Sequence, residues 1–196
     1  MVGTPDQRGA ALIDVVFTAG LVAVLSGIAI PLWHATRQQA AASAGARYVA
    51  AKLQQVRIEA LKRNVAVAVR FDPRDLDRLG VYADGDGDGV LESDIERGTD
   101  VPLEPVSRLS DYTTIALRVS QEVPEPDTGT PVPAGSDPLR IGRSTLLSFS
   151  PLGSATGGTL YLAGTTGPQM AVRILGATGR MRVLRFDVAS RQWRED

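Results

Sequence analysis

Hydrophobic and polar positions along this chain change period twice, and each change marks an element. Across residues 10–33 almost every side chain is apolar or small, and Asp14 is the only charged one. At about 1.5 Å per residue this makes about 36 Å of helix, enough to cross a bilayer core of about 30 Å with some tilt. From Ala35 to Lys62 the composition turns to Ala, Gln, Arg and Lys. There Ala46, Val49, Leu53, Val56 and Ala60 recur at helical spacing, which predicts an amphipathic helix with its apolar stripe on a sheet. After Asn64 the period becomes two. Val65, Val67 and Val69 alternate with Ala66, Ala68 and Arg70, a strand that ends at Asp72-Pro73.

The remaining chain reads as further strands. Residues 79–82 give a short partner strand, and 113–119 alternate as another. Residues 121–138 hold many of the prolines and predict an exposed irregular loop. Segments 145–150, 159–162, 171–175 and 180–186, each bounded by Gly or Pro, follow in hairpin style. Trp193 is placed to dock on the sheet. Pro31 predicts a kink or a loosened turn. Gly20 and Gly27 allow close helix approach in lipid, and Trp33 and His34 suit an interface. The fold class is α+β: a long N-terminal helix packed on an antiparallel β-sheet head.

The leader, residues 1–9, is polar and ends in Arg8-Gly9, and Ala10-Ala11-Leu12-Ile13-Asp14 opens the apolar helix. This resembles the class III signal of type IV pilins and type II secretion pseudopilins. The resemblance implies a prepilin peptidase cut between Gly9 and Ala10, with methylation of the new N-terminus. It also places Pro31 at the spacing this superfamily uses. Two residues depart from the usual pattern: the mature chain would begin with Ala10 rather than Phe, and Asp14 stands in place of Glu. The leader is too short and polar for an ordinary secretory signal, and the proposed cut precedes the apolar run. The helix would therefore stay in the mature protein. A carboxylate costs about 2.5–3.5 kcal/mol at the centre of a membrane helix and less near its end. The α-amine of Ala10, from a neighbouring copy or the same chain, is the natural partner for Asp14, and their pairing would set register in a filament of parallel helices. The plainer alternative is an anchor helix that tolerates Asp14.

Farther on, Ser148-Phe149-Ser150-Pro151-Leu152-Gly153, Gly158-Thr159-Leu160-Tyr161-Leu162 and Gly179-Arg180-Met181-Arg182-Val183 are similar to the GspH/FimT branch of minor pseudopilins and pilins. That resemblance implies a type IV pilin-like fold with four segments: a leader at 1–9, a transmembrane helix at 10–34, an amphipathic helix at 35–63 and a β-rich periplasmic domain at 64–196. It implies an inner-membrane, single-pass protein with its N-terminus in the cytoplasm. Its partners would be other pseudopilins or pilins, through parallel helix packing, and the prepilin peptidase.

Composition narrows the chemistry. The formal net charge of the 196 residues is −1, so nothing global argues for nucleic acid. There is no Cys and one His, which excludes disulfides and Cys-ligated metals. No Gly-x-Ser-x-Gly elbow, nucleophile–base pair or phosphate loop with Lys is present, so no enzyme is expected.

Two clusters remain. Asp84-Gly85-Asp86-Gly87-Asp88-Gly89 copies the start of an EF-hand-type calcium loop, with alternate carboxylates and Gly at the sixth position. Asp84, Asp86, Asp88, the Val90 carbonyl and Asp94 are the candidate ligands for a structural Ca2+. Leu91 would anchor the loop. The twelfth position is Ile95, so Asp94 or Glu96 would close the site after a register shift, or Glu92 through water. The alternative is an acidic, flexible loop without an ion. Arg180 and Arg182 lie two apart on a strand and face one side, with Arg173 and Arg185 nearby. Some FimT-type pilins that this chain resembles are DNA receptors with a Gly-Arg-x-Arg motif, which Gly179-Arg180-Met181-Arg182 fits. The leading expectation is a GspH-like minor pseudopilin of a type II secretion system. The alternative is a FimT-like minor pilin that binds DNA for uptake, and a third reading is a membrane-anchored calcium-binding module.

Overall fold

The structure, a computed structural model, describes residues 7–142 and 144–196, with the side chains of 7–13, 28–32 and 35 outside the description. The expectations for Gly9, Ala10 and Pro31 therefore lie outside the described residues. The first helix, α1, is Gln7–Arg63. The chain divides into two compact units, residues 1–37 and 38–196.

In the first unit the apolar residues are solvent-facing on every side of the helix. Val15, Val16, Phe17, Leu21, Val22, Val24 and Leu25 are all exposed, as are Trp33 and Asp14. Thr18 donates its hydroxyl to the Asp14 carbonyl at 2.7 Å, the usual back-bond of a threonine in an apolar helix. Among the described residues no helix is long and apolar enough to cross a membrane. Within the predicted 10–34 span, the side chains of 10–13 and 28–32 lie outside the description.

The second unit is built around the C-terminal part of α1. Ala42, Ala46, Val49, Leu53, Val56 and Ala60 are all buried, so the expected stripe is the core stripe, one turn longer at its start. Three alanines in that stripe let the neighbouring chain come close. At Gly45 the approach is closest: an added Cβ would lie 2.3 Å from the Thr113 hydroxyl and 2.5 Å from Ile115. No side chain fits there.

The strands follow α1 in chain order. They are β1 (Val67–Asp72) and β2 (Asp75–Ala83), then a short helix α2 (Glu92–Arg97), then β3 (Val101–Arg108). A 3-10 turn at Leu109–Asp111 leads to β4 (Ala116–Leu117), β5 (Val123–Pro124), β6 (Pro131–Val132) and β7 (Leu139–Arg140). Then come β8 (Leu146–Phe149), β9 (Gly158–Ala163), β10 (Met170–Leu175), β11 (Arg180–Asp187) and β12 (Gln192–Glu195). A four-stranded sheet runs β3-β2-β1-β8, and a larger one runs β12-β11-β10-β9-β4, with β7 also paired to β9. All pairings are antiparallel. The inner faces of both sheets meet the α1 stripe through Val67, Val69, Phe149, Leu160, Leu162 and Val172.

Both outer faces are covered as well, which the alternation of residues 65–70 does not foretell. Ala68 is wholly buried, because Val90 and Leu146 cover it from outside. On the larger sheet, Tyr161, Ala171, Leu184 and Phe186 form a second apolar cluster with Val119, Val123 and Val132. Residues 121–138 are therefore not simply an exposed loop. Their β5–β6 hairpin buries Val123 and Val132 completely, and its prolines sit on a two-stranded ladder where missing donors cost little. Trp193 docks as expected, donating its indole N–H to the Pro124 carbonyl at 2.6 Å. The strand expected at 113–119 is only Ala116–Leu117, since the chain leaves the sheet edge to bury Val119 outside. β3 has no counterpart in the expectations. Two prolines mask it, and they are tolerated because it is an edge strand.

Candidate functional site

The acidic loop connects β2 to α2. Asp84 holds it closed from within: Oδ1 accepts the N–H groups of Asp86 at 3.1 Å and Gly87 at 2.7 Å, and Oδ2 accepts that of Gly89 at 3.0 Å. Gly87 and Gly89 take positive φ, 93° and 100°, the conformation that lets the turn fold on itself. The result gathers Asp84, Asp86 and Asp88, each with a carboxylate oxygen within 4.8 Å of the others. Loss of solvation, with the charges of Asp86, Asp94 and Asp84, raises the pKa of Asp88. Three converging carboxylates suit a hard cation, which takes 6–8 oxygens at about 2.3–2.6 Å. Among the described residues, these three are the acidic side chains close enough together to hold one.

The side chains of the other expected acidic ligands are not in that group. Asp94 is 2 % exposed on α2 and is ion-paired to Arg97. The ligand expected of Val90 is its backbone carbonyl, which a grouping of side chains does not test; its side chain packs into the outer apolar cluster. Glu92 is engaged elsewhere, since its Oε2 lies 2.7 Å from Arg70 Nε and its Oε1 accepts the Thr145 hydroxyl at 2.8 Å. Sequence reasoning missed Asp100. It is 1 % exposed and straddles the loop: Oδ1 accepts the Gly85 N–H at 3.1 Å and Oδ2 the Leu91 N–H at 2.9 Å. A lone Asp before a strand carries no signal of that role.

The arginine face lies on the larger sheet. Arg180 and Arg182 are exposed and share a face, and Arg173 sits directly opposite Arg182 in register. Arg185 belongs to the other face, in line with Met181 and Val183. The face is not bare charge. Arg182 pairs with Glu195 at 3.1 Å, and Arg173 pairs with Asp127 of the hairpin tip. Gly179 is explained by packing: its φ is 60°, and an added Cβ would lie 2.6 Å from the Gly153 carbonyl oxygen.

None of these groups pairs a nucleophile with a base. The acidic loop can bind cations, the arginine face can bind anions, and the exposed apolar stretch of α1 can pack on other apolar surface.

No curated protein matches this chain, and neither does any solved structure. The family model described as "Type II transport protein GspH" matches residues 45–179. That segment starts at the glycine packed against Ile115 and ends at the glycine packed against Gly153, so the match takes in the four-stranded sheet, the larger sheet except β11 and β12, and most of the buried stripe of α1. It spans well over half of the chain, and the protein therefore belongs to the GspH family, whose role at family level is that of a type II secretion pseudopilin.

Proposed function

We propose that this protein is a minor pseudopilin that assembles through its N-terminal helix into the pseudopilus of a type II secretion system. The observation that carries this reading is the GspH family match on a head that wraps around 42–60 of α1. Support comes from the helix N-terminal to it, where Val15, Phe17, Leu21 and Val24 are exposed on different sides. A helix that is apolar all round needs lipid or other helices around it. In this reading a prepilin peptidase cuts after Gly9. Residues 10–34 span the inner membrane with the N-terminus in the cytoplasm, and the head lies in the periplasm. Asp14 pairs with the Ala10 amine of a neighbouring subunit. The protein performs no catalysis.

The acidic loop, in the same reading, holds one structural Ca2+ through Asp84, Asp86 and Asp88. The mutual proximity of their carboxylates supports it. The ion supplies charge neutralisation there, and Asp100 holds the loop closed around it.

Complementation tests the assembly role. In cells lacking the protein, the wild-type chain restores secretion, and Asp14→Ala does not while its head stays folded. Full secretion with Asp14→Ala removes the assembly contact. A second reading is a DNA-binding minor pilin, favoured by the shared face of Arg173, Arg180 and Arg182. Loss of duplex binding in Arg180→Ala/Arg182→Ala supports it. Binding that is absent, or unchanged by that double substitution, removes it.

A further inference from the structure

Arg140, Thr159, Arg173 and Arg182 form one cross-strand row on the outer face of the larger sheet. Arg140 and Thr159 are register partners, as are Thr159 and Arg173, and Arg173 and Arg182. Like charges directly opposite each other destabilise a sheet, so this row calls for anions. Two carboxylates come from flanking segments: Asp127 meets Arg173, and Glu195 meets Arg182. Among the described residues, no carboxylate oxygen lies within 4.0 Å of the Arg140 guanidinium.

Beneath these charges are hydroxyls with nothing to bond. Thr159 and Tyr161 are both 0 % exposed, and neither Thr159 Oγ1 nor the Tyr161 hydroxyl has a hydrogen-bond partner. The same is true of Arg173 Nε. All three can donate, and all belong to the same sheet face, since Thr159 and Tyr161 are two apart on β9. A buried polar atom left unpaired costs about 1–3 kcal/mol. Three together on one face mark a place for an acceptor. The Tyr161 pKa is pushed up to about 12, by burial first and then by Glu125, while Arg140 and Arg173 oppose the rise. Those charges therefore stand close to the hydroxyl.

We propose that Arg140, Arg173, Thr159 and Tyr161 form a site for a single oxyanion, a phosphate or sulfate group. Asp127 is the built-in carboxylate that occupies Arg173 when no ligand is bound. Two guanidinium forks on either side of a hydroxyl suit a tetrahedral oxyanion, which can take several charge-assisted bonds at once. The site is separate from the secretion role and from Arg180 and Arg182. Free phosphate and a phosphate carried on a larger molecule share the chemistry.

The test is calorimetric titration of the full-length chain in detergent with sodium phosphate, in chloride buffer of matched ionic strength. One phosphate binds the wild type. Asp127→Asn binds it more tightly, because the competing carboxylate has lost its charge. Thr159→Val, which keeps the shape, binds about tenfold more weakly, the worth of one hydrogen bond to a charged group. Arg173→Ala abolishes binding, and Arg180→Ala leaves it unchanged. Glycerol 3-phosphate run in parallel separates the sources: tighter binding than phosphate assigns the site to a phosphate on a larger molecule. No binding of either to the wild type or to Asp127→Asn overturns the proposal, leaving water as the partner of the buried hydroxyls. Binding unaltered by both Thr159→Val and Arg173→Ala overturns it as well.

Discussion

Arg57 and Gly179 are locked together across the head. Arg57 donates a guanidinium N–H to the Thr178 carbonyl at 3.0 Å, and its Nε lies 2.8 Å from where a Cβ on Gly179 would be. Gly179 is also in the left-handed region, at φ 60°. An alanine there would meet both a strained backbone and a filled space. Gly179→Ala is expected to cost about 2–4 kcal/mol, read as a lower urea midpoint with an unchanged slope. A shift of a few tenths of a kcal/mol would mean that the contact with α1 is loose.

Asp100 is the buried clasp of the acidic loop. Asp100→Ala leaves the N–H groups of Gly85 and Leu91 without their acceptor. The expected loss is about 1–3 kcal/mol. Hydrogen exchange should locate it, with faster exchange confined to residues 84–100 rather than spread over the sheets.

Calcium and pH act on the same carboxylates. Because the pKa of Asp88 is raised in the folded loop, the folded state binds its proton more readily than the unfolded chain. That contribution is fully present below the ordinary aspartate value of 3.8 and is lost as pH rises through the raised one. At neutral pH the loop therefore carries repulsion that a cation can relieve. With calcium at about a hundred times its dissociation constant, the chain should gain about 2.7 kcal/mol at pH 7. The gain should shrink as acid protonates Asp88. Asp88→Asn should stabilise the calcium-free protein slightly and abolish the calcium response. A wild-type thermal midpoint that ignores calcium at pH 7 would leave the loop without an ion.

How far the fold can be read from residues depends on what covers each face. The α1 stripe was legible because helical spacing needs only one buried side, and Ala46 to Ala60 supply it. The GspH resemblance was legible in the Gly-rich turns around β8 and β9, which the family match covers; the Gly179–Val183 motif lies almost wholly beyond the matched residues. The hairpin at Val123 and Val132 was not, since two valines among prolines look like a solvated loop until Tyr161 and Trp193 are in place. Asp84, Asp86 and Asp88 could be grouped from their spacing alone, because a Gly-rich turn brings alternate residues together. The fates of Glu92 and Asp94 could not, because their cationic neighbours are set by the place of Arg70 on β1 and by the i, i+3 pairing of Asp94 with Arg97 in the last turn of α2. Likewise Arg173 finds Arg182 only through the β10–β11 register.

The central claim is that this GspH-family chain is processed and assembled as a pseudopilin, and the mass of its mature N-terminus tests it most directly. The protein would be extracted from membranes of cells with and without prepilin peptidase, and its N-terminal peptide measured. The account predicts a peptidase-dependent start at Ala10 carrying one added methyl group. A chain that begins at Met1 in both strains would contradict it, because the amine proposed to pair with Asp14 would not exist.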